Sequence, residues 1–205
     1  MCVNNPNLLV TTGGPGSGKT TVLRELEKQE FPRVPEVARQ IIQEQVRNGG
    51  RALPWEDRQL YSGLMLERSI QSYKEHTPAL RPTFSDRGIP DTLGYARLIG
   101  LPDEGSIQSA CDRYRYASRV LLAAPWKEIY ETDSERKQDF EDAERTYDVI
   151  TQIYQACGYE LLELPRLAPK QRAESRVHSE PTATGQVTQR LHQMARRSPG
   201  IYGRA

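Results

Sequence analysis

The sequence predicts a three-layer α/β fold in which a mostly parallel sheet of five strands lies between two layers of helices. Short apolar segments alternate with amphipathic segments along residues 8–164, which is the pattern of parallel strands joined by crossover helices. A glycine-rich turn separates the first strand from the first helix. The length of 205 residues suits one domain with its own core.

Five segments have the composition of buried strands. The segments 8–12 and 119–124 are the strongest, because each is an apolar run that ends at glycine or proline. The other three segments are 31–35, 82–86 and 159–164. Only Phe84 is strongly apolar in the segment 82–86, which therefore has the weakest strand signal.

Amphipathic periodicity predicts helices between these strands. The predicted helices cover residues 19–29, 36–47, 54–74, 91–99 and 106–116, and a further helix runs through residues 149–154. We expect residues 1–166 to form the folded domain. Pro, Ser, Thr, Gly and Arg dominate residues 167–205, which predicts a basic, polar, disordered tail, with a linker over 173–184 and at most one helix near 186–197.

Composition excludes several classes of protein. No apolar run approaches the ~18 residues of a membrane span, so we expect no membrane partner, and the N-terminus lacks the features of a secretory signal. Three widely separated cysteines argue against a disulfide framework or a zinc site and favour the cytoplasm. The chain has 28 basic and 27 acidic residues, so nucleic acid is not an expected partner. Residues 165–205 nevertheless carry eight basic side chains against two acidic ones, which leaves a protein partner open for the tail.

The turn after the first strand matches the phosphate-binding pattern G-x-x-x-x-G-K-[ST] in full, as Gly13-Gly14-Pro15-Gly16-Ser17-Gly18-Lys19-Thr20. Glycines allow successive backbone N–H groups to face an anion at a helix N-terminus. Lys19 would contact the β- and γ-phosphates, and the Thr20 hydroxyl would bind Mg²⁺. The predicted nucleotide contacts comprise these eight residues and Thr21. The same glycines also fit a dinucleotide fingerprint, but Lys19 favours a nucleoside triphosphate.

Asp86 and Arg87 follow the third predicted strand, at the sheet edge where ligands bind. A carboxylate there suits Mg²⁺, and an arginine beside it suits the charge of a phosphoryl group in transfer. Asp91, one helical turn later, is a candidate for binding the substrate. The alternative is an ordinary turn with surface charges.

Glu36 and Arg39 follow the second predicted strand and lie on one face of the next helix. Glu36 is the candidate general base for a substrate hydroxyl, and Arg39 a candidate substrate contact. The alternative for Glu36 is the ordinary preference for acids at a helix N-terminus. Arg136 lies in the charged segment 127–145, where a lid that closes over phosphates would carry cations, and the alternative there is a solvated helix face.

Other nucleotide-binding classes fit poorly. The guanine-recognition signature Asn-Lys-x-Asp does not occur in the sequence, and no apolar strand ends in the paired acids of a large remodelling ATPase. Together the motifs resemble a family, namely the small P-loop ATPases labelled as an AAA domain and grouped with the nicotinamide-riboside kinase domain of NAD-regulator proteins. The resemblance rests on the following segments: the phosphate loop, Pro35–Arg39, Leu53–Trp55, Asp86–Asp91, Ala124–Tyr130, Asp133–Arg136 and Gly158–Glu160.

This resemblance implies a P-loop NTPase fold of the nucleoside- and nucleotide-kinase type that binds Mg-ATP, with GTP as the alternative nucleotide. The leading hypothesis is a kinase that moves the γ-phosphate to a hydroxyl of an unidentified small-molecule acceptor, of which a riboside is one candidate. Lys19, Glu36, Asp86, Arg87 and Arg136 would be its catalytic residues. The alternatives are a regulatory ATPase or GTPase module that acts through a protein partner and, with less support, a polynucleotide kinase.

Overall fold

The computed structural model describes residues 2–130 and 139–177. Strands and helices alternate through these ranges as predicted. The strands are β1 (Val3–Asn4), β2 (Leu8–Gly13), β3 (Arg33–Val34), β4 (Thr83–Asp86), β5 (Tyr114–Arg115), β6 (Arg119–Ala123) and β7 (Glu160–Glu163). The helices are α1 (Lys19–Lys28), α2 (Val37–Asn48), α3 (Arg58–Glu75), α4 (Ile89–Leu98), α5 (Gly105–Arg113), α6 (Phe140–Ala156) and α7 (Pro169–Val177), with a single 3-10 turn at Lys127–Ile129.

The main sheet has the strand order β3-β4-β2-β6-β7, and all of its pairings are parallel. The predicted five-stranded parallel sheet is therefore confirmed. The carboxyl ends of the strands lie at one edge, where Thr11 pairs with Asp86 and Gly13 pairs with Ala123. This topology brings the turns after β2, β3 and β4 together at the edge where open α/β sheets bind ligands.

Alternation along the central strands distributes apolar side chains to both faces of the sheet. Leu8 and Val10 of β2 belong to the core cluster beneath α4, α5 and α6. Leu9, between them in sequence, packs in the opposite cluster with α1 and Ala173 of α7. Burial on both faces accounts for the continuous apolar character of β2 and β6.

Some boundaries differ from the predicted ones for local reasons. The helix that was expected to begin at Pro54 begins at Arg58, because the Asp57 side chain caps it by accepting a hydrogen bond from Leu60 N at 3.0 Å. The helix expected to reach Tyr116 ends at Arg113, and Tyr114–Arg115 pairs with Val3–Asn4 in a separate two-stranded sheet. This pairing is non-local, so periodicity along the chain does not reveal it.

The start of the predicted linker is helical. α7 extends through residues 173–177, where we expected a linker, because Ala173 is fully buried against the α1 layer. The helix expected near residues 186–197 lies outside the described residues. Within the described ranges, no helix has both the length and the apolar character required to cross a membrane.

Candidate active site

The phosphate loop joins β2 to α1 and encloses the ammonium group of Lys19. Lys19 Nζ donates hydrogen bonds to the carbonyl oxygens of Gly14 (2.6 Å) and Gly13 (3.1 Å), and the residue is only 6% exposed. The Ser17 hydroxyl donates to Gly14 O at 2.8 Å. These contacts give the loop a fixed curvature around a positive charge.

Backbone donors of the loop remain available to a ligand. Among the described residues, no hydrogen bond to a protein acceptor is found for the N–H groups of Gly16 and Gly18. A Cβ on Gly14 would lie 2.5 Å from the carbonyl oxygen of Ala143 in α6, so a side chain at position 14 would not fit. Unpaired donors at the start of a helix are the features of a phosphate site, and the loop fits the group that its sequence predicts.

Asp86 lies at the carboxyl end of β4 and is 3% exposed. Its Oδ2 accepts a hydrogen bond from Arg33 Nη2 at 3.2 Å, while its buried Oδ1 has no partner among the described residues. The Thr11 hydroxyl, on the neighbouring strand, is also buried without a partner. Burial and the negative charge of Glu36 raise the pKa of Asp86, whereas the charge of Lys19 opposes this shift. The unsatisfied carboxylate oxygen fits a hard cation such as Mg²⁺.

Arg87 connects two carboxylates at the same edge. Its Nε donates to Glu36 Oε1 and its Nη1 donates to Asp91 Oδ1, each at 2.9 Å. Burial alone would lower the pKa of Arg87, but the charges of Glu36, Asp91 and Asp86 raise it above its usual value. The guanidinium group therefore remains positively charged and holds Glu36 in one orientation.

The backbone of Arg87 is strained. Its φ of 74° lies in the left-handed region, which non-glycine residues rarely adopt and which costs on the order of 1–3 kcal/mol. Two hydrogen bonds hold this conformation, from Arg87 N to Thr11 O (3.0 Å) and from the Ser85 hydroxyl to Arg87 O (2.6 Å). The strained turn directs the side chain between α2 and α4.

Glu36 precedes α2, but its side chain makes no hydrogen bond that caps the helix. The carboxylate faces Arg87, and Arg39 lies further out, with its Nε 3.8 Å from Glu36 Oε2 and a side chain that is 39% exposed. Glu36 is therefore oriented by Arg87 and not by a capping hydrogen bond, and its use as the base stays a prediction. The dipole of α2 still favours the ionised form there.

Asp91 has no unsatisfied oxygen. Besides the bond from Arg87, its carboxylate accepts hydrogen bonds from the Thr12 hydroxyl (2.6 Å), Gly88 N (2.8 Å) and the Tyr154 hydroxyl (2.7 Å). The residue is 4% exposed. Asp91 therefore fixes Arg87 and the start of α4, and its use in direct substrate binding stays a prediction.

A cavity of about 480 Å³ opens beside this network. It extends from Pro15 of the phosphate loop past Glu36 and Arg87 to a wall of apolar and aromatic side chains from α2, α3, α4 and α6. Tyr61 and Tyr95 form part of that wall, with ring centroids 5.3 Å apart at 82°. The Tyr61 hydroxyl donates to Ala38 O at 3.3 Å, whereas the Tyr95 hydroxyl is buried with no partner among the described residues. The cavity is large enough for a small metabolite.

The structure brings together most of the residues that we selected from the sequence. Lys19, Glu36, Asp86, Arg87 and Asp91 share the sheet edge, and Arg39 lies at its rim. Thr20 is in the first turn of α1 and partly buried, while the exposed Thr21 donates to Gly18 O. Arg136 lies outside the described residues. The cavity is also lined by Tyr61, Tyr95, Arg58 and Arg145, which no sequence motif marks as site residues.

Sequence comparison places the chain in a family. A family profile described as an AAA domain matches residues 8–172. The chain belongs to this AAA-domain family. The resemblance drawn from the motifs is thereby confirmed. A search of curated protein sequences finds no match to this AAA-domain chain.

Three of the solved structures that share this fold are NadR and two kinases. The crystal structure of NadR protein in complex with NR aligns with a TM-score of 0.62 at 18% identity, over 84% of this chain and 50% of the NadR chain. Deoxyadenosine kinase from M. mycoides aligns with a TM-score of 0.59 at 13% identity, over 91% and 99% of the two chains. Shikimate kinase from Acinetobacter baumannii, in complex with shikimate, aligns with a TM-score of 0.51 at 16% identity, over 85% and 92%.

These alignments show that the AAA-domain chain has a P-loop kinase-like fold. At such identities they show the fold alone. The chain spans half the length of the NadR chain that it matches. The chemistry has to be argued from its own residues.

Proposed function

We propose that this protein is a Mg²⁺-dependent kinase that transfers the γ-phosphate of ATP to a hydroxyl group of a small metabolite, with ribosides as the first class to test. One observation carries the proposal. A single cavity of about 480 Å³ is lined by Pro15 of the phosphate loop and by the Glu36–Arg87–Asp91 network, so a triphosphate and an acceptor hydroxyl can meet beside a carboxylate.

The phosphate loop would bind the triphosphate through its backbone N–H groups. Lys19 Nζ, now bonded to Gly13 O and Gly14 O, would turn toward the β- and γ-phosphates. Asp86 and the Thr20 hydroxyl would hold Mg²⁺, directly or through its waters. When bound, Mg²⁺ neutralises charge on the phosphates. We place this reaction in the cytoplasm.

Glu36 would act as the general base. In the proposed step, the acceptor oxygen forms a bond to the γ-phosphorus as its proton passes to the Glu36 carboxylate. The bond between the γ-phosphorus and the bridging oxygen breaks, and ADP leaves. Arg87 would orient Glu36, and Arg39 and Arg136 would supply positive charge to the acceptor or the transferring group.

The acceptor would bind in the cavity against the wall that contains Tyr61 and Tyr95. Apolar and aromatic side chains suit a ring, and the buried Tyr95 hydroxyl offers a polar contact. The kinase-like fold shared with NadR bound to NR and with deoxyadenosine kinase supports ribosides as acceptors. The fold shared with shikimate kinase is the reason to test other hydroxyl compounds as well.

The test measures release of ADP from Mg-ATP, and of GDP from Mg-GTP, in the presence of nicotinamide riboside, deoxyadenosine, other nucleosides, sugars and shikimate. The Lys19→Ala variant gives the background, because it removes the ammonium group from the phosphate loop. We expect one class of acceptor to raise turnover well above basal hydrolysis. A uniformly low rate with intact nucleotide binding would contradict the kinase proposal and favour a regulatory ATPase or GTPase module.

A further inference from the structure

A buried arginine from α7 contacts the backbone of the phosphate loop. Arg172 is 2% exposed, and its Nη1 and Nη2 donate to the carbonyl oxygen of Ser17 at 3.2 and 3.3 Å. The two residues are 155 positions apart in the sequence. The contact therefore joins the last described helix to the loop that is predicted to bind the triphosphate.

The guanidinium group of Arg172 has few other partners. It lies 5.9 Å from the centroid of the Trp126 ring, and its buried Nε has no hydrogen-bond partner within the described ranges. Burial lowers the pKa of Arg172. Enclosing a cation is costly unless its environment compensates. A phosphate site is an environment in which an additional cation is favourable.

Peptide geometry gives the contact a specific consequence. In a trans peptide the C=O and N–H groups point in opposite directions. Because Arg172 donates to the Ser17 carbonyl oxygen, the N–H of Gly18 in the same peptide points away from Arg172. Gly18 has a left-handed φ of 77°, which suits glycine, and a Cβ there would lie 2.7 Å from Arg172 Nη1, so a side chain at position 18 would require Arg172 to move.

We propose that Arg172 is a positioning residue for polyphosphate binding. It holds the Ser17–Gly18 peptide so that the Gly18 N–H, which has no acceptor in the described part of the chain, is presented to a phosphate oxygen. This inference rests on the proposed function, because it requires a polyphosphate ligand. It assigns Arg172 to the phosphate end of that ligand, with no contact to the base or to the acceptor.

The test uses calorimetric binding of two probes, Mg-ATP and inorganic tripolyphosphate with Mg²⁺, to the full chain. The variants are Arg172→Met, which keeps the apolar stem, and Arg172→Lys, which keeps the charge without the two-pronged donor. Lys170→Ala is the matched control, because it removes a cation from the same helix at a side chain that is 75% exposed. Thermal melting of every variant checks that the fold is retained.

We expect Arg172→Met to weaken binding of both probes by the same factor, about 10-fold or more. Arg172→Lys should weaken both by less, and Lys170→Ala should bind both as the unmodified protein does. If Arg172→Met fails to fold, the affinities of Arg172→Lys and Lys170→Ala for the two probes are compared. Weaker binding of both probes by Arg172→Lys alone then supports the inference.

Two outcomes would overturn the inference and leave the proposed function intact. One is unchanged affinity for both probes in the Arg172 variants. The other is weakened Mg-ATP binding with unchanged tripolyphosphate binding, which would assign Arg172 to the nucleoside end. If the unmodified protein bound neither Mg-ATP nor tripolyphosphate, the proposed function itself would be overturned, and the inference with it.

Discussion

The Nε atom of Arg87 lies 2.9 Å from Oε1 of Glu36, and both residues are almost removed from solvent. A carboxylate that accepts a hydrogen bond from a buried guanidinium group is held in one orientation. Glu36 can therefore receive a proton from a hydroxyl in the adjoining cavity without first rearranging. The relationship makes Glu36 the first position to test by mutation.

Glu36→Gln preserves the size of the side chain and removes its capacity to accept a proton. We expect kcat to fall about 10²- to 10⁴-fold, because general base catalysis contributes on that order. The Kd for Mg-ATP should change less than about threefold. Rapid-quench measurement of phosphoryl transfer and calorimetric binding of nucleotide separate the two effects.

Glu44→Gln is the control for that experiment, because it makes the same change on α2 at a carboxylate that pairs with Arg68. It should leave kcat unchanged. A Glu36→Gln enzyme with an undiminished rate would exclude Glu36 as the base.

Asp86→Asn should stabilise the protein while it abolishes the response to Mg²⁺. Burial and the charge of Glu36 raise the pKa of Asp86, so folding disfavours the charged carboxylate relative to the unfolded chain. An amide removes that cost and can still accept the bond from Arg33. We expect a gain of about 1 kcal/mol, or roughly 2–4 °C in Tm for a chain of this size.

Differential scanning fluorimetry measures the first effect, and a Mg²⁺ titration of turnover measures the second. Asp148→Asn, an exposed position on α6, should change neither quantity. A lower Tm for Asp86→Asn would show that the carboxylate stabilises the free protein.

Tyr95→Phe and Tyr61→Phe form a matched pair on one cavity wall. The Tyr95 hydroxyl is buried with no partner in the described residues, so its removal should not lower Tm and should raise the KM of the acceptor about 3- to 10-fold. The Tyr61 hydroxyl donates to Ala38 O, so its removal should lower stability by roughly 0.5–1.5 kcal/mol with little change in KM.

Steady-state kinetics with the acceptor that the panel identifies, together with thermal melts, would measure this pattern. Equal KM values for the two variants would remove the assigned role of the Tyr95 hydroxyl in acceptor recognition.

Cys157 should react with iodoacetamide at a lower pH than an ordinary thiol. A hydrogen bond with Cys111 lowers the pKa of Cys157, so its thiolate is populated below the usual ~8.5. We expect the midpoint of the alkylation rate against pH, followed by mass spectrometry, to lie below that value. Cys111→Ala removes the hydrogen bond and should move the midpoint upward, and an unmoved midpoint would contradict this cause.

The sheet and the charged half of the candidate site were predictable because their signals are local. The phosphate loop is a contiguous motif. Glu36 and Asp86 lie at or just beyond the carboxyl ends of two strands, and in a parallel sheet these ends lie at the same edge. The contact between Glu36 and Arg87 was not predicted, since it depends on the strained turn at Arg87.

The cavity wall and α7 were missed for different reasons. Tyr61 and Tyr95 belong to separate amphipathic helices, in which an aromatic residue has the pattern of core packing. Only the tertiary structure leaves the Tyr95 hydroxyl without a partner. α7 has a polar sequence, and its place in the fold depends on two buried residues, Arg172 and Ala173, whose environment is built by distant parts of the chain.

α6 touches both halves of the candidate site along a single rod of 17 residues. Near its start, the carbonyl oxygen of Ala143 packs against Gly14 of the phosphate loop. Near its end, the Tyr154 hydroxyl donates a hydrogen bond to Asp91, which also accepts one from Arg87. A ligand that displaced α6 at one end would also change the contacts at its other end. Because linkage is reciprocal, a nucleotide that tightens acceptor binding through α6 must itself be bound more tightly by the same factor once the acceptor is present. The two substrates would then be synergistic, and the helix would set the size of that synergy.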